Sequence, residues 1–299
     1  MQKELVFIGL GRMGAAMTEH LVEAGYTVHG YDTSEESRAT AAKFGVINHN
    51  STNEAIGAMA GRKVVWLMVP AQFVDQVIDE IHPLLTAGDI IIDGGNTFFK
   101  DTIRRAEQVN PNGIHYVDCG TSGGVTGARY GASLMVGGEA AAVSSLEQLF
   151  LALAAPGGYG HVGQSGAGHF VKMVHNGIEY GIMGAIAEGL AFIEQNADEL
   201  SINTKETLKP YENGSIISSK LMTWMAEAYN TKGYLEQISG EVPRGETEIE
   251  MEFIVNYKQT PVLEAALKQR KETRVNPSRI GTLLSAMRNL FGGHNIIKK

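Results

Sequence analysis

The chain carries a single cysteine, Cys119, in 299 residues. One thiol excludes an intrachain disulfide framework and fits a reducing cytoplasm. No activating base accompanies it in sequence, so it reads as a small buried hydrophobe rather than a nucleophile. Positive charge is also short: 25 basic against 33 acidic side chains leave a formal charge of −8. Sequence-independent nucleic-acid binding needs a basic footprint, so this balance argues against a nucleic-acid partner. No apolar run approaches the roughly 18 residues of a membrane span, so no membrane partner is expected. Only six apolar or glycine residues separate Lys3-Glu4 from Gly11-Arg12, which is not a signal-peptide architecture. The nine histidines show no metal-ligand spacing, so no metal is expected, and His20, His29, His49 and His82 are expected at the surface or at caps. Internal repeats, low-complexity tracts and long linkers are absent too. What remains, 43% hydrophobic and 19% charged, suits a soluble cytoplasmic globular enzyme.

Up to about residue 163, short β-branched runs alternate with helical periodicity. Strands are expected at 4–9, 27–32, 63–69, 89–93, 115–119, 134–136 and near 159–162, with helices such as 12–24, 72–85 and 139–153 in the gaps. That alternation predicts βαβ units and a Rossmann-type, doubly wound α/β domain with a mostly parallel sheet. After Gly166 the strand signals stop. Residues 167–195 read as one long helix, followed by at least four more, including 215–229, 262–270 and 278–290. A boundary inside Gly163-Gln164-Ser165-Gly166 gives a dinucleotide-binding domain at 1–164 and an all-α domain for substrate and oligomerisation at 165–299.

Gly9-Leu10-Gly11-Arg12-Met13-Gly14 follows the apolar run Leu5-Val6-Phe7-Ile8 and opens an amphipathic helix. In a Gly-x-Gly-x-x-Gly turn the first glycine makes the tight bend, the second lets backbone approach a pyrophosphate, and the third lets helix and strand pack closely. Asp32 ends the second strand, 18 residues after Gly14. There an acidic side chain accepts hydrogen bonds from ribose hydroxyls and repels a 2′-phosphate, so NAD is expected over NADP. Capping of the following helix is the other role open to Asp32. Arg38, one helical turn on, could swing toward a phosphate, so NADP is not excluded.

In the segment 165–180, Lys172, Asn176 and Glu179 stand at i, i+4 and i+7 and project from one helical face, bordered by His175 and Tyr180. Lys172 and Glu179 lie roughly 10 Å apart along the axis, far enough for a base and an acid to address different atoms of one small substrate. A solvated polar face would show the same spacing, but an exposed helix start has little use for Gly166 and Gly168.

The run Lys-Met-Val-His-Asn-Gly-Ile-Glu-Tyr-Gly at 172–181 resembles the catalytic helix of the 6-phosphogluconate dehydrogenases, and more loosely that of the wider β-hydroxyacid dehydrogenase superfamily. Asp-Cys-Gly-Thr-Ser-Gly-Gly at 118–124, followed by Gly-Ala-Arg-Tyr-Gly at 127–131, resembles the same family's substrate loop, and Asp-Gly-Gly-Asn at 93–96 its cofactor and substrate loop. Arg288-Asn289-Leu290-Phe291-Gly292-Gly293-His294 matches its tail signature. The resemblance implies oxidative decarboxylation of 6-phosphogluconate to ribulose 5-phosphate, with Lys172 as base, Glu179 as second proton donor, and Asn176 and His175 orienting hydroxyl and carbonyl groups. It implies Ser122, Gly123 and Gly124 at the substrate carboxylate, Asn96 at a hydroxyl, and Tyr180, Arg270, Arg288 and His294 at the sugar-phosphate substrate. Gly9, Gly11, Arg12, Met13, Gly14, Asp32, Val69 and Asn96 would line the cofactor. The chain departs from the family at Pro243-Arg244-Gly245, where a lysine is expected and Arg244 stands, and it resembles the short class that lacks a further helical block. The tail implies a homodimer or homotetramer with Arg288 and His294 near the partner's active site, although a basic residue and glycines also suit an ordinary helix end. Two other readings remain open: an NAD-dependent 3-hydroxyacid dehydrogenase acting on an unphosphorylated substrate without decarboxylation, and a non-catalytic dinucleotide sensor.

Overall fold

The structure, a computed structural model, describes residues 3–245, 247–256 and 259–299. The chain divides into two compact units, Met1–Lys172 and Met173–Lys299. The first holds β1 (Glu4–Ile8), α1 (Arg12–Glu23), β2 (Thr27–Tyr31), α2 (Glu35–Ala42), β3 (Ile47–Asn48), α3 (Thr52–Gly57), β4 (Val64–Leu67), α4 (Ala71–Ile81), β5 (Ile90–Asp93), α5 (Phe99–Val109), β6 (His115–Ser122), α6 (Gly124–Tyr130), β7 (Ala132–Gly137), α7 (Ala140–Ser145), α8 (Glu147–Leu153) and β8 (Ala154–Gly163). The division falls inside α9 (Ala167–Gln195), which is followed by α10 (Ala197–Leu200), α11 (Thr204–Glu212), α12 (Lys220–Asn230), α13 (Glu248–Val255), α14 (Pro261–Thr273) and α15 (Arg279–Gly292).

The eight strands form one sheet in the order β3-β2-β1-β4-β5-β6-β7-β8, parallel throughout except where β7 runs antiparallel to β6. Strand alternation sorts side chains into two cores, one on each face. Leu5, Phe7, Val64, Trp66, Ile90 and Ile92 pack with α1 and α8, whereas Val6, Ile8, Val65, Leu67 and Ile91 pack with α3, α4 and α5. This is the doubly wound Rossmann-type domain the pattern predicts.

The two-residue β3 leaves too short a pattern to read in sequence, and it pairs only with His29 and Gly30. The expected helix 139–153 breaks at Leu146, whose φ of −108° and ψ of 3° end α7 and precede α8. The expected helix at 72–85 closes at Ile81 into a 3₁₀ turn containing Pro83, which has no N–H to continue the ladder. The short strand expected near 159–162 is the ten-residue β8. His29 is not a surface residue. It is 6% exposed in β2, where its ring contacts His49 Nε2 (2.9 Å) and Glu4 Oε1 (3.1 Å).

Among its described residues the second unit is helical, apart from an isolated bridge between Ile238 and Lys298. Met183, Ala187 and Leu190 on α9 pack with Met222 and Met225 on α12 and with Leu283 and Met287 on α15. The helix starts are chemically marked. Ser219 Oγ accepts from Met222 N (3.3 Å), so α12 begins later than residue 215, and Ser278 Oγ accepts from Gly281 N (3.2 Å) at the start of α15. No described helix is long and apolar enough to cross a membrane.

Candidate active site

The turn between β1 and α1 needs its glycines for three different reasons. Gly9 adopts φ +98°, and its N–H donates to the Tyr31 carbonyl at 2.8 Å. A Cβ on Gly14 would collide with the Gly9 carbonyl and come within 3.2 Å of the Phe7 ring, so only glycine lets α1 lie on β1. A Cβ on Gly11 would meet nothing within 4 Å, so no contact inside the chain requires glycine there. Gly11 caps a 12-residue helix that has no side-chain cap and no acid in its first turn. Such an end presents N–H groups and the positive end of the macrodipole to an anion, which fits a pyrophosphate. Arg12 is exposed beside it and Met13 packs against the core.

Asp32 follows β2. Its carboxylate accepts from Leu10 N (2.7 Å) and Ser34 N (2.8 Å), tying the glycine turn to the strand end. Two bonds leave acceptor capacity on a group with about four lone-pair positions, enough for ribose hydroxyls. The cap of α2 is Ser34, which accepts from Ser37 N at 3.2 Å. Arg38 Nη1 donates to the carbonyls of Asp32 (2.5 Å) and Thr33 (3.4 Å), which holds the guanidinium on the backbone. Val69 sits beside the turn: its Cγ1 would lie 3.1 Å from a Cβ on Gly9, and its carbonyl 2.9 Å from one on Gly95. Asn96 is half-buried in the loop after β5. Below that loop the fully buried Asp93 accepts from Gly95 N (3.2 Å) and Tyr116 OH (2.9 Å).

Sequence reasoning missed the anchor of α9. Asp118, fully buried on β6, accepts from Gly166 N (2.7 Å) and His169 N (2.8 Å), so a carboxylate caps the start of the long helix. Burial raises its pKa, against the lowering effect of His169 and of these backbone bonds. His169 itself is buried, its Nδ1 2.7 Å from Thr102 Oγ1. The paired glycines now have a cause. Gly166 adopts φ +94°, and a Cβ on Gly168 would strike the Met135 carbonyl. A Cβ on Gly120 would sit 2.5 Å from the Lys172 Cβ, so β6 and the first turns of α9 touch through glycine. This close packing keeps the first unit intact to Lys172, beyond the last strand at Gly163. Lys172 is half-buried. Ser122 ends β6, and Gly123 (φ +116°) and Gly124 (φ +61°) turn the chain into α6. Burial pushes the Cys119 thiol up, as befits an inert core residue.

In the second unit, Asn176 is 7% exposed and donates through Nδ2 to Glu250 Oε2 at 3.3 Å, with His175 Nδ1 3.4 Å from its Oδ1. Glu179 is half-buried one turn further on α9. Tyr180 is buried, and its hydroxyl pairs with Thr247 Oγ1 at 2.8 Å. The Arg270 guanidinium lies 3.3 Å from the centroid of the Tyr180 ring. Arg270 is 4% exposed, and burial brings its pKa down to about 10, with Tyr180 opposing and Arg288 adding to the fall. Arg288 is 6% exposed and donates to the Pro243 carbonyl at 2.9 Å. Burial lowers its pKa too, against the raising effect of Tyr180, Glu248 and Glu179. Two buried guanidiniums and a phenol thus share one region of the second unit. Arg288 lies near the groups around Tyr180 and Arg270 of its own chain. His294 is exposed and packs edge-on against Phe291, with ring centroids 5.4 Å apart. Thr247, Glu248 and Glu250 were not anticipated, because their partners lie 67 to 74 residues away or on α14. Among the described residues no group of three or more His, Cys, Asp or Glu could hold a metal ion.

A glycine turn under a doubly wound sheet, joined to a helical unit whose first helix carries Lys172, Asn176 and Glu179, defines the class: an oxidoreductase that uses a nicotinamide nucleotide. The model of the NAD binding domain of 6-phosphogluconate dehydrogenase matches residues 4–174, and that of the 6-phosphogluconate dehydrogenase C-terminal domain matches 168–200. The protein YqeC of Bacillus subtilis (strain 168) is 37% identical over 98% of both chains. The NAD(+)-dependent, decarboxylating 6-phosphogluconate dehydrogenase of Haloferax volcanii is 36% identical over 99% of both. The solved 6-phosphogluconate dehydrogenase of Plasmodium falciparum superposes with TM-score 0.82 at 28% identity, covering 91% of this chain and 63% of that one. The chain belongs to the 6-phosphogluconate dehydrogenase family. A 3-hydroxyisobutyrate dehydrogenase of Mycobacterium tuberculosis (TM-score 0.71, 20% identity, 96% of this chain and 100% of that one) shares the fold alone.

Proposed function

We propose that the protein oxidises and decarboxylates 6-phosphogluconate to ribulose 5-phosphate and carbon dioxide, with NAD as the preferred acceptor. The observation that carries the reading is the buried Tyr180, Arg270 and Arg288 cluster, because an unphosphorylated hydroxy acid whose carboxylate is held at Ser122, Gly123 and Gly124 has no second anionic group to offer it. Asp32 supports NAD: an acidic side chain at the end of the second strand disfavours a 2′-phosphate, and Arg38 is engaged with backbone carbonyls. Homology to the NAD(+)-dependent enzyme of Haloferax volcanii points the same way.

The bound nicotinamide supplies the acceptor for the substrate's hydride. Lys172, neutral at the start, takes the hydroxyl proton as the hydride leaves. The β-keto acid that results loses carbon dioxide once Lys172 returns its proton to the carbonyl oxygen, where the electrons of the breaking carbon–carbon bond collect. Glu179 then protonates the carbon of the enediol, and Lys172 recovers the proton of the oxygen that becomes the product ketone. Asn176 and His175 orient the reacting hydroxyl and carbonyl. Ser122, Gly123 and Gly124 hold the carboxylate, and Asn96 holds a hydroxyl. Tyr180, Arg270, Arg288 and His294 hold the phosphate, with Arg244 in place of the family's lysine. The working form is a homo-oligomer, supported by the exposed Ile178, Ile182 and Phe192 (54%, 45% and 68%) along α9.

The test is a comparison of kcat/KM across two substrates and two cofactors. 6-Phosphogluconate should exceed gluconate by at least about 100-fold, the scale of a lost charge-assisted contact to buried partners. NAD should exceed NADP. Equal rates on gluconate and 6-phosphogluconate would favour a 3-hydroxyacid dehydrogenase instead.

A further inference from the structure

Two loops of the first unit carry residues assigned to the cofactor, and one side chain behind them holds both. A doubly wound sheet takes a dinucleotide across the point where strand order reverses, one nucleotide to each half. The glycine turn and Asp32 follow β1 and β2, so the ends of β4 and β5 belong to the nicotinamide half. Val69 lies in the loop from β4 to α4, and Asn96 in the loop from β5 to α5. The loops meet through glycine. Gly94 N donates to the Leu67 carbonyl at 2.9 Å, and a Cβ on Gly95 would come within 2.9 Å of the Val69 carbonyl.

Arg105 reaches both loops from α5. It is 3% exposed, so its cation must find partners inside the fold. Nε and Nη2 donate to the two oxygens of Asp75 on α4, both at 2.9 Å. Nη2 also donates to the carbonyl of Ala71, the first residue of α4, at 3.2 Å. On the other side, Nη1 lies 3.6 Å from Oδ2 of Asp93, the last residue of β5. Among the described residues Nη1 makes no hydrogen bond, so that tie is ionic. Asp93 in turn accepts from Gly95 N at 3.2 Å. The contacts therefore run from the start of α4 through Arg105 and Asp93 to Gly95, the neighbour of Asn96. The Arg105 bonds, opposed by burial and helped by Arg104, hold the Asp75 carboxyl well below the usual carboxylate range, so the clamp is charged at neutral pH.

We propose that Arg105 is a positioning residue for the nicotinamide end of the cofactor: by tying α4 to Asp93 it sets the gap between the loops of Val69 and Asn96. The proposal rests on the assignment of those two residues to the cofactor. A planar guanidinium can grip one carboxylate with two nitrogens and face a second anion with the third, whereas an ammonium is a point charge. Arg105→Lys therefore keeps a cation near Asp93 but releases one loop from the other. The adenosine half is held instead by Asp32 on Leu10 and by the packing of Gly14 against Phe7.

The experiment titrates NADH, by fluorescence, and ADP-ribose, which lacks the nicotinamide, by calorimetry, into full-length wild type, Arg105→Lys, Asp75→Asn and Asn96→Ala. It needs no turnover, so it stands whether or not 6-phosphogluconate is the substrate. Arg105→Lys should bind NADH about tenfold weaker, the scale of a lost charge-assisted bond, and ADP-ribose as tightly as wild type does. Its kcat should fall by up to about 100-fold, the cost of a small misplacement of reacting atoms. Asp75→Asn, at a half-exposed position, should show the same selective loss in smaller measure. Equal losses for NADH and ADP-ribose in Arg105→Lys overturn the role as general damage to the fold, and no loss of either overturns it outright. If Arg105→Lys does not fold, Asp75→Asn decides: NADH affinity equal to wild type there overturns the proposal. Asn96→Ala separates the role from the assignment beneath it. NADH affinity indifferent to Asn96→Ala removes the loop from the cofactor site, and this role with it. Selective weakening in Asn96→Ala but not in Arg105→Lys removes the role alone.

Discussion

Lys172→Met lowers turnover of 6-phosphogluconate by at least about 100-fold, the lower end of what a positioned general base contributes. Methionine matches the length of the lysine stem and keeps the packing of Cβ against Gly120, so the helix start should survive the change. It removes the atom proposed to take the hydroxyl proton and return it to the carbonyl. The nucleotide turn at Gly9–Gly14 draws its shape from Met68, Phe7 and Asp32, none of which involves Lys172. NAD affinity, measured by fluorescence titration, should therefore stay within about twofold while kcat collapses. A variant retaining more than about a tenth of the wild-type rate would remove Lys172 from the role of base.

Glu179→Gln is the second large effect. The amide preserves size and most hydrogen bonding but donates no proton at neutral pH. If Glu179 protonates the enediol, formation of ribulose 5-phosphate should fall by about 100-fold or more, with substrate affinity nearly unchanged. The two variants differ in a way that tests the division of labour. Lys172→Met blocks the first step, so no reduced cofactor forms. Glu179→Gln leaves oxidation possible, so a single-turnover burst of reduced cofactor should precede the slow phase. A Glu179→Gln enzyme with an unchanged steady-state rate, and product release shown not to limit it, would contradict the assignment.

The features that carry these predictions were unequally legible in sequence. The β1–α1 turn was readable because its three glycines act within six residues, so spacing alone encodes their geometry. The long helix was readable because 3.6-residue periodicity places Lys172, Asn176 and Glu179 on one stripe without reference to anything else. What was hidden depends on contacts distant in the chain. Asp118 caps a helix that starts 49 residues later, and nothing local distinguishes it from any other strand aspartate. Glu248 and Glu250 sit in a Glu-Ile-Glu-Met-Glu run that suggests a solvated helix, yet both are 5% exposed because Arg274 and Asn176 reach them. His29 misled for the same reason: a polar residue in a strand is expected outside, and the partners that permit its burial, Glu4 and His49, lie 25 and 20 residues away. The burial of Arg288 was hidden in the same way, since the carbonyl it bonds, that of Pro243, lies 45 residues away.

In the proposed reaction one active site couples oxidation of 6-phosphogluconate to loss of its carboxylate. The most direct measurement supplies the purified protein with 6-phosphogluconate labelled in the carboxylate carbon and with NAD, and follows reduced cofactor and labelled carbon dioxide in the same vessel. Equal amounts of the two are expected at all times after the first turnover, with ribulose 5-phosphate as the only sugar product. Reduced cofactor without carbon dioxide, with a stable β-keto acid accumulating, would contradict it.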